Sequence, residues 1–249
     1  MSSGRNKAGR VRPPCAVRAE PAILRSRMPR DFSVAFIGGG APGAQTCRAL
    51  AYGARLVAAA DYGLVHAERA GFLPDIIVGD MDSLAQAGEA GRLEKYPPAA
   101  VFRHSADKDE SDTELALQAL WERGAAHIRI IGGGGGRLDH IFALRALFDR
   151  EQHPVSWHTG GESIYAVDSA SGRLSLPAHA GQCVSVFAAG AAAGGVAWQA
   201  ESDGLKWPLG GAHWTSGAGG LSNTALGDTF SVEARAGRFI VVVNETPPP

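Results

Sequence analysis

From residue 33 onward the chain is cut into short apolar runs, and most of them end on glycine or aspartate. Residues 33–37 form such a run before Gly38-Gly39-Gly40, 56–60 runs into Asp61, 75–78 into Gly79-Asp80, and 127–131 into five consecutive glycines, 132–136. A strand that is apolar throughout, with no polar alternation, is buried on both faces, as in a parallel sheet covered by helices. Helical stretches fall between these runs. Residues 47–52 and 65–70 read as helices, the second closed by Gly71. Ser111-Asp112-Thr113-Glu114 is a capping box that opens a helix running to residue 123, and 138–149 reads as a further helix. Strand and helix in alternation predict an α/β fold with a doubly wound, mostly parallel sheet.

Beyond residue 153 the helical period stops. Short strand-like runs follow at 155–158, 163–167, 173–176, 183–187, 196–199, 229–234 and 239–243, separated by Gly, Pro, Ser and Asp. Such spacing predicts an antiparallel β-sandwich. The expected organisation is a basic tail over 1–30, an α/β domain over 31–152 and a sandwich over 153–249, with the boundary near 150–154. The tail holds Arg5, Lys7, Arg10, Arg12, Arg18, Arg25, Arg27 and Arg30 against Glu20, and has no apolar period. Its composition also suits an organelle transit peptide. The reading preferred is a disordered tail or an over-extended start, with Met28 as the working initiator.

With 249 residues, 45% of them hydrophobic, the chain can bury ordinary cores. A net charge of -1 gives no reason to expect nucleic acid or a membrane surface as partner. No apolar run reaches the roughly 20 residues of a membrane helix. The three cysteines, Cys15, Cys47 and Cys183, are too sparse for a disulfide framework and fit a reducing, cytoplasmic setting.

Chemistry concentrates in carboxylates at the ends of elements. In an extended turn Asp80 and Asp82 point the same way, and their mutual repulsion asks for a cation between them. Mg²⁺ takes such oxygen ligands and keeps substrate phosphates as others. A second acidic run, Asp107 to Asp112, includes Lys108 and leads into the capped helix. Taken alone, Asp112 reads as an acid that favours the helix dipole. A second strand–acid–loop site in the same half of the chain makes it a candidate ligand as well.

The glycines 132–136, Gly133 and Gly136 among them, let backbone N–H groups approach an anion, with Arg137 available for bidentate phosphate contacts and Asp139 to orient it. No G-K-[ST] follows, so this is not a Walker loop. Together the clusters describe a site for a polyphosphate and a divalent metal. One rival remains: Gly38-Gly39-Gly40-Ala41-Pro42-Gly43 fits a dinucleotide fingerprint, with Asp61 as its ribose-binding acid. That reading leaves Asp80, Asp82, Asp112 and Arg137 without a role.

Six segments, in order, resemble the thiamine pyrophosphokinase family. They are Ala60-Asp61-Tyr62-Gly63; the run from Pro74 to Ser83; the run from Lys108 to Glu114; Gly136-Arg137-Leu138-Asp139-His140; Gly204-Leu205-Lys206-Trp207-Pro208-Leu209; and Ser222-Asn223-Thr224. The resemblance implies an α/β nucleotide-binding domain followed by a β-sandwich, in a homodimer with thiamine bound between one subunit's sandwich and the other's α/β domain. It implies ATP as co-substrate and Mg²⁺ held by Asp80, Asp82 and Asp112. It puts Arg137 and Asp139 in the catalytic site, and Asp61, Gly63, Lys108, Gly133, Gly136 and Arg137 around the nucleotide. Trp207, Ser222 and Asn223 would belong to the thiamine pocket. On the residues alone, Trp207 reads as sandwich core more often than as a ligand contact, and Ser222-Asn223 as a turn. A pyrophosphokinase acting on another hydroxymethyl heterocycle, such as a pterin, is the alternative of the same chemical class. The chain departs from the family at Tyr62, where glycine is usual, and at Ser111, where threonine is usual.

Overall fold

A computed structural model describes residues 29–104, 109–190, 198–212, 214 and 219–245. Residues 1–28 of the tail expected over 1–30, and Lys108, lie outside the described residues.

The parallel half is built around β1 (Ser33–Phe36). On one side lie β2 (Val57–Ala60), β3 (Ile76–Gly79) and β4 (Val101–Arg103); on the other lie β5 (Ile128–Ile131) and β6 (Ser156–His158). Every pairing among these strands is parallel. Strand order reverses between β1 and β5, which opens a crevice at the strand C-termini where ligands bind in such sheets.

The apolar runs explain the layers. Val34 and Phe36 face α1 (Ala44–Ala51) and α2 (Gly63–Arg69), with Cys47, Leu50, Ala51, Ala67 and Ala70 against them. Ala35, Ala58, Ala60, Ile76 and Val78 face the other way, onto Ala116, Leu117 and Leu120 of α4 (Asp112–Glu122). The small run Ala58-Ala59-Ala60 lets helices approach β2 from both sides. The α4 capping box is complete: the Glu114 backbone N–H donates to Ser111 Oγ at 3.2 Å, and the Ser111 N–H donates to Glu114 Oε2 at 2.9 Å. Both bonds satisfy backbone donors that a helix start leaves open.

Two expectations are adjusted here. The helix expected over 138–149 is α5 (Leu138–Ala146), and it tightens to a 3-10 turn over Leu147–Asp149. Residues 81–103 also hold elements that no apolar period announces: α3 (Asp82–Gln86), 3-10 segments at Ala90–Lys95 and Pro98–Ala100, and β4. Tertiary contacts hold this excursion. Arg92, Lys95 and the Tyr96 hydroxyl all donate to the Glu68 carboxylate of α2, the tyrosine at 3.0 Å.

The second half forms the expected antiparallel sandwich, and the larger of its two sheets is continuous with the parallel one. β6 pairs parallel with β5 on one edge and antiparallel with β7 (Glu162–Asp168) on the other, so the parallel sheet continues into the antiparallel one. The result is a ten-stranded sheet that runs on through β13 (Arg238–Asn244) and β9 (Cys183–Ala189) to β11 (Gly220–Thr224). A three-stranded sheet of β8 (Arg173–Pro177), β12 (Thr229–Ala236) and β10 (Gln199–Asp203) packs over its antiparallel end. Val167, Val184, Val186, Phe230, Val232, Phe239 and Val241 fill the space between. His158 is buried at the junction, its ring nitrogens 3.0 Å from Ser163 Oγ and 2.9 Å from Ser156 Oγ.

Candidate active site

The C-terminal ends of β2 and β3 and the start of α4 bring three carboxylates together. Oxygen atoms of Asp61, Asp80 and Asp112 lie within 4.8 Å of one another. The local backbone is shaped for this. Asp61 and Met81 both take positive φ, 46° and 68°, a region that side-chain-bearing residues avoid. Gly79, at φ 147°, leaves the room: a Cβ there would stand 2.0 Å from Asp61 Oδ1. The Met81 N–H donates to that same Oδ1 at 3.3 Å.

The extended turn expected for Asp80-Met81-Asp82 is therefore not what forms. Met81 turns left-handed and buries its side chain beside Leu84 and Tyr96, and Asp82 becomes the first residue of α3. Asp80 Oδ1 accepts the Asp82 backbone N–H at 2.9 Å. The three-carboxylate group thus contains Asp61, which had been expected at the nucleotide, while Asp82 stands beside it at the head of α3.

The electrostatics of the group bear on what it could hold. Burial pushes the Asp61 carboxyl up to about 7; its hydrogen bond to Asp112 and the charges of Asp112 and Asp80 add to the rise, and the Met81 N–H opposes it. Three carboxylates this close need a shared proton or a cation. The donor set is all oxygen, which suits a hard divalent ion such as Mg²⁺.

The two glycine loops lie side by side at the ends of β1 and β5. Gly40 N donates to Gly134 O at 2.6 Å, Gly134 N to Gly40 O at 2.8 Å, and Gly133 N to Gly38 O at 2.7 Å. Close approach demands the missing side chains: a Cβ on Gly132 would stand 2.2 Å from Ile37 O, and one on Gly134 would stand 2.7 Å from Thr159 Cβ. The N–H of Gly133, expected to face an anion, is committed to this pairing. Gly135 and Gly136, both at positive φ, have open space where a Cβ would be, and among the described residues no backbone oxygen takes their N–H groups. The part of the loop whose N–H groups stay open is therefore Gly135–Gly136, next to the α5 N-terminus, a position that favours negative charge. Gly63 has a packing role, because a Cβ there would stand 2.1 Å from Phe36 O.

Arg137 precedes α5 and is gripped by Asp139 through two bonds, Nε to Oδ1 at 3.1 Å and Nη2 to Oδ2 at 2.5 Å. The Arg137 guanidinium holds the Asp139 carboxyl below its usual range, and the His140 N–H adds to this. Asp139 thus aims an exposed guanidinium at solvent beside the glycine loop.

The residues expected at thiamine lie on the far edge of the sheet. Trp207 is 53% exposed, so it is not sandwich core, and the Lys206 ammonium lies 4.6 Å from its ring centroid. Asn223 is buried, and both polar atoms of its amide are bonded. Its Oδ1 accepts from Trp207 N at 3.1 Å and Thr224 N at 2.8 Å, and its Nδ2 donates to Trp207 O at 2.6 Å. Ser222 is exposed at φ 56°, on β11 where the register with β9 shifts, and its N–H donates to Ser185 Oγ at 3.0 Å. The turn expected there is a bulged edge strand.

Residues 47–155 match the family model described as thiamin pyrophosphokinase, catalytic domain. The thiamine pyrophosphokinase of Bacillus subtilis (strain 168) is 40% identical over 81 residues, 32% of this chain and 37% of that protein, so the match spans little more than a third of the relative's length. Solved structures share the fold over 86% of this chain. The thiamine pyrophosphokinase of Bacillus subtilis has a TM-score of 0.67 at 22% identity over 99% of its chain. That of Geobacillus thermodenitrificans has 0.65 at 23% over 98%, and that of Candida albicans 0.58 at 16% over 89%. The matched segment runs from α1 to the approach of β6 and encloses Asp61, Asp80, Asp112 and Arg137, so the part of the chain that carries the carboxylate group is the part similar to the thiamin pyrophosphokinase catalytic domain.

Proposed function

We propose that this protein transfers the pyrophosphoryl group of ATP to the hydroxyl of thiamine, giving thiamine diphosphate and AMP. The observation that carries this is the gathering of Asp61, Asp80 and Asp112 at the C-terminal edge of a parallel sheet, beside a glycine loop and an oriented arginine. In this reading Asp80, Asp82 and Asp112 hold Mg²⁺, with Asp61 as a further carboxylate of the set. Bound Mg²⁺ neutralises phosphate charge and polarises the phosphoryl group under attack. Gly135, Gly136 and Arg137 orient the polyphosphate, and Asp139 keeps the Arg137 fork in place. The dinucleotide reading loses its ribose-binding acid, since Asp61 belongs to the carboxylate group.

Trp207 offers its open face to a cationic thiazolium ring, a favourable pairing. It cannot do so for the carboxylates of its own chain. β11 and β3 are eight strand positions apart in the sheet, roughly 35–40 Å at about 4.8 Å per strand. A second copy must bring its β11 edge to this chain's carboxylates, so the working enzyme is a homodimer with each site shared between subunits.

The test is an end-point assay of purified protein with ATP, Mg²⁺ and thiamine, with gel filtration alongside. Equal AMP and thiamine diphosphate, both absent with EDTA, and a dimer on the column are expected. AMP without thiamine diphosphate would move the acceptor to another hydroxymethyl heterocycle.

A further inference from the structure

The geometry points to His66 of α2 as a positioning residue for the nucleotide phosphates, acting through the Gly38–Gly40 loop. This deepens the proposed function and rests on the loops at the ends of β1 and β5 forming the phosphate site. All three carbonyls of the loop are occupied. Gly38 O accepts from Gly133 N and Gly40 O from Gly134 N, both backbone bonds; Gly39 O accepts from His66 Nε2 at 2.9 Å. Gly39 is the one whose partner is a side chain; the N–H of the same peptide, Gly40 N, is held by Gly134 O at 2.6 Å, so His66 is the second of the two bonds that fix the plane of the Gly39–Gly40 peptide, at a φ of 82° where no Cβ stiffens it. Held by the Gly40 N–H alone, this peptide would be able to tilt its carbonyl oxygen toward the strand ends, where the phosphates carry negative charge. By holding it back, His66 keeps the loop from repelling the anion.

The ring is itself held. Tyr62 meets it edge to face, with centroids 5.5 Å apart at 82°, and Tyr62 packs on the cluster that contains Met81, between Asp80 and Asp82. The Tyr62 Cβ also stands 3.6 Å from where a Gly38 Cβ would be. Tyr62 and His66 thus tie the glycine loop to the carboxylate loops. A carbonyl only accepts, so the imidazole proton belongs on Nε2. Burial holds the His66 pKa below its usual value, in keeping with a neutral ring near neutral pH.

The experiment compares His66→Phe, which keeps a ring for Tyr62 and loses the donor, with His66→Gln, which keeps an N–H donor. Mg²⁺–ATP binding is read by calorimetry, and the KM values for ATP and thiamine by steady-state kinetics. His66→Phe should weaken ATP binding about tenfold, the scale of one lost hydrogen bond, leaving kcat and the thiamine KM in place, and His66→Gln should recover most of it. Equal losses in both variants, or a change in kcat or thiamine KM alone, would overturn the assignment. Nitrogen NMR of the imidazole in the unaltered protein tests it without any variant: an Nε2–H tautomer is expected, and an Nδ1–H tautomer refutes it. If the unaltered protein binds no Mg²⁺–ATP, the proposed function fails, and the phosphate role of His66 fails with it. A failure confined to His66→Phe and His66→Gln behaving alike leaves that function standing.

Discussion

The carboxylate of Asp61 lies over Gly79, in the space that a β-carbon on Gly79 would occupy. A residue of one strand end is thus shaped by the absence of a side chain on its neighbour, and the carboxylate group depends on both. Gly79→Ala must displace Asp61 or the β3 end, at a φ that alanine adopts only with strain. The expected outcome is a loss of turnover on the order of 100-fold, the scale of a misplaced electrostatic group, with a weaker Mg²⁺ requirement curve. Wild-type kinetics in this variant would show that Asp61 has no part in the chemistry.

Asp82 heads α3 beside the group, with its backbone N–H on Asp80. Asp82→Ala keeps that backbone bond and removes the carboxylate. As a metal ligand, Asp82 should cost on the order of 100-fold or more in turnover. Near-normal kcat at saturating Mg²⁺ would remove it from the set and leave Asp61, Asp80 and Asp112.

The raised Asp61 pKa, about 7, gives metal binding a pH dependence. Its folded value lies above the unfolded one, so the metal-free protein loses stability from this group as pH rises from about 4 through 7. A divalent ion must displace the proton below 7 and meets a ready carboxylate above it. The Mg²⁺-induced rise in Tm should be small at pH 6 and larger at pH 8, and Asp61→Asn should flatten the difference. Calorimetric melts across that range, with and without Mg²⁺, read it directly.

His158 acts in the opposite sense. Burial first, and the Arg129 charge second, push its pKa down to about 3. A depressed histidine contributes stability that is complete above about 6.5 and is lost as pH falls toward 3, at about 1.4 kcal/mol per pH unit. Because Asp61 slopes the other way over part of this range, the effect is read as wild type minus His158→Gln in denaturant titrations. The difference should shrink steadily from pH 7 to pH 5. A constant difference would mean the imidazole is not held neutral.

Asn223 makes three bonds around Trp207 and Thr224, two of them to the Trp207 backbone. Asn223→Ala should release the Trp207 backbone and raise the thiamine KM about tenfold, the scale of one to two hydrogen bonds, with the ATP KM unchanged. A parallel rise in the ATP KM would place Asn223 in general stability instead.

What could be read from the sequence was mostly local. The Ser111–Glu114 capping box, the apolar runs that become β1, β2, β3 and β5, and the acids at their ends are patterns of near neighbours. Asp61 as a carboxylate partner was not legible, because it depends on Gly79 and Asp112, which only folding brings beside it. The α3–β4 excursion was missed for the same reason: Glu68 holds Arg92, Lys95 and Tyr96 from another element. Ser222-Asn223 has turn chemistry, and β11 uses it as a bulge on an edge. The six ordered segments carry the family resemblance even so, because a resemblance rests on residue types in sequence order and needs no knowledge of which of them folding brings together.

β6 is a hinge pin in the molecular sense that neither half can be drawn out without it. Its one edge completes the parallel sheet and its other starts the antiparallel one. A cut on either side leaves a raw strand edge open to pairing with other chains, and unfolding of one half is transmitted straight into the other. The parallel and antiparallel halves of this protein are therefore not interchangeable cassettes: a graft between relatives would have to carry β5, β6 and β7 together.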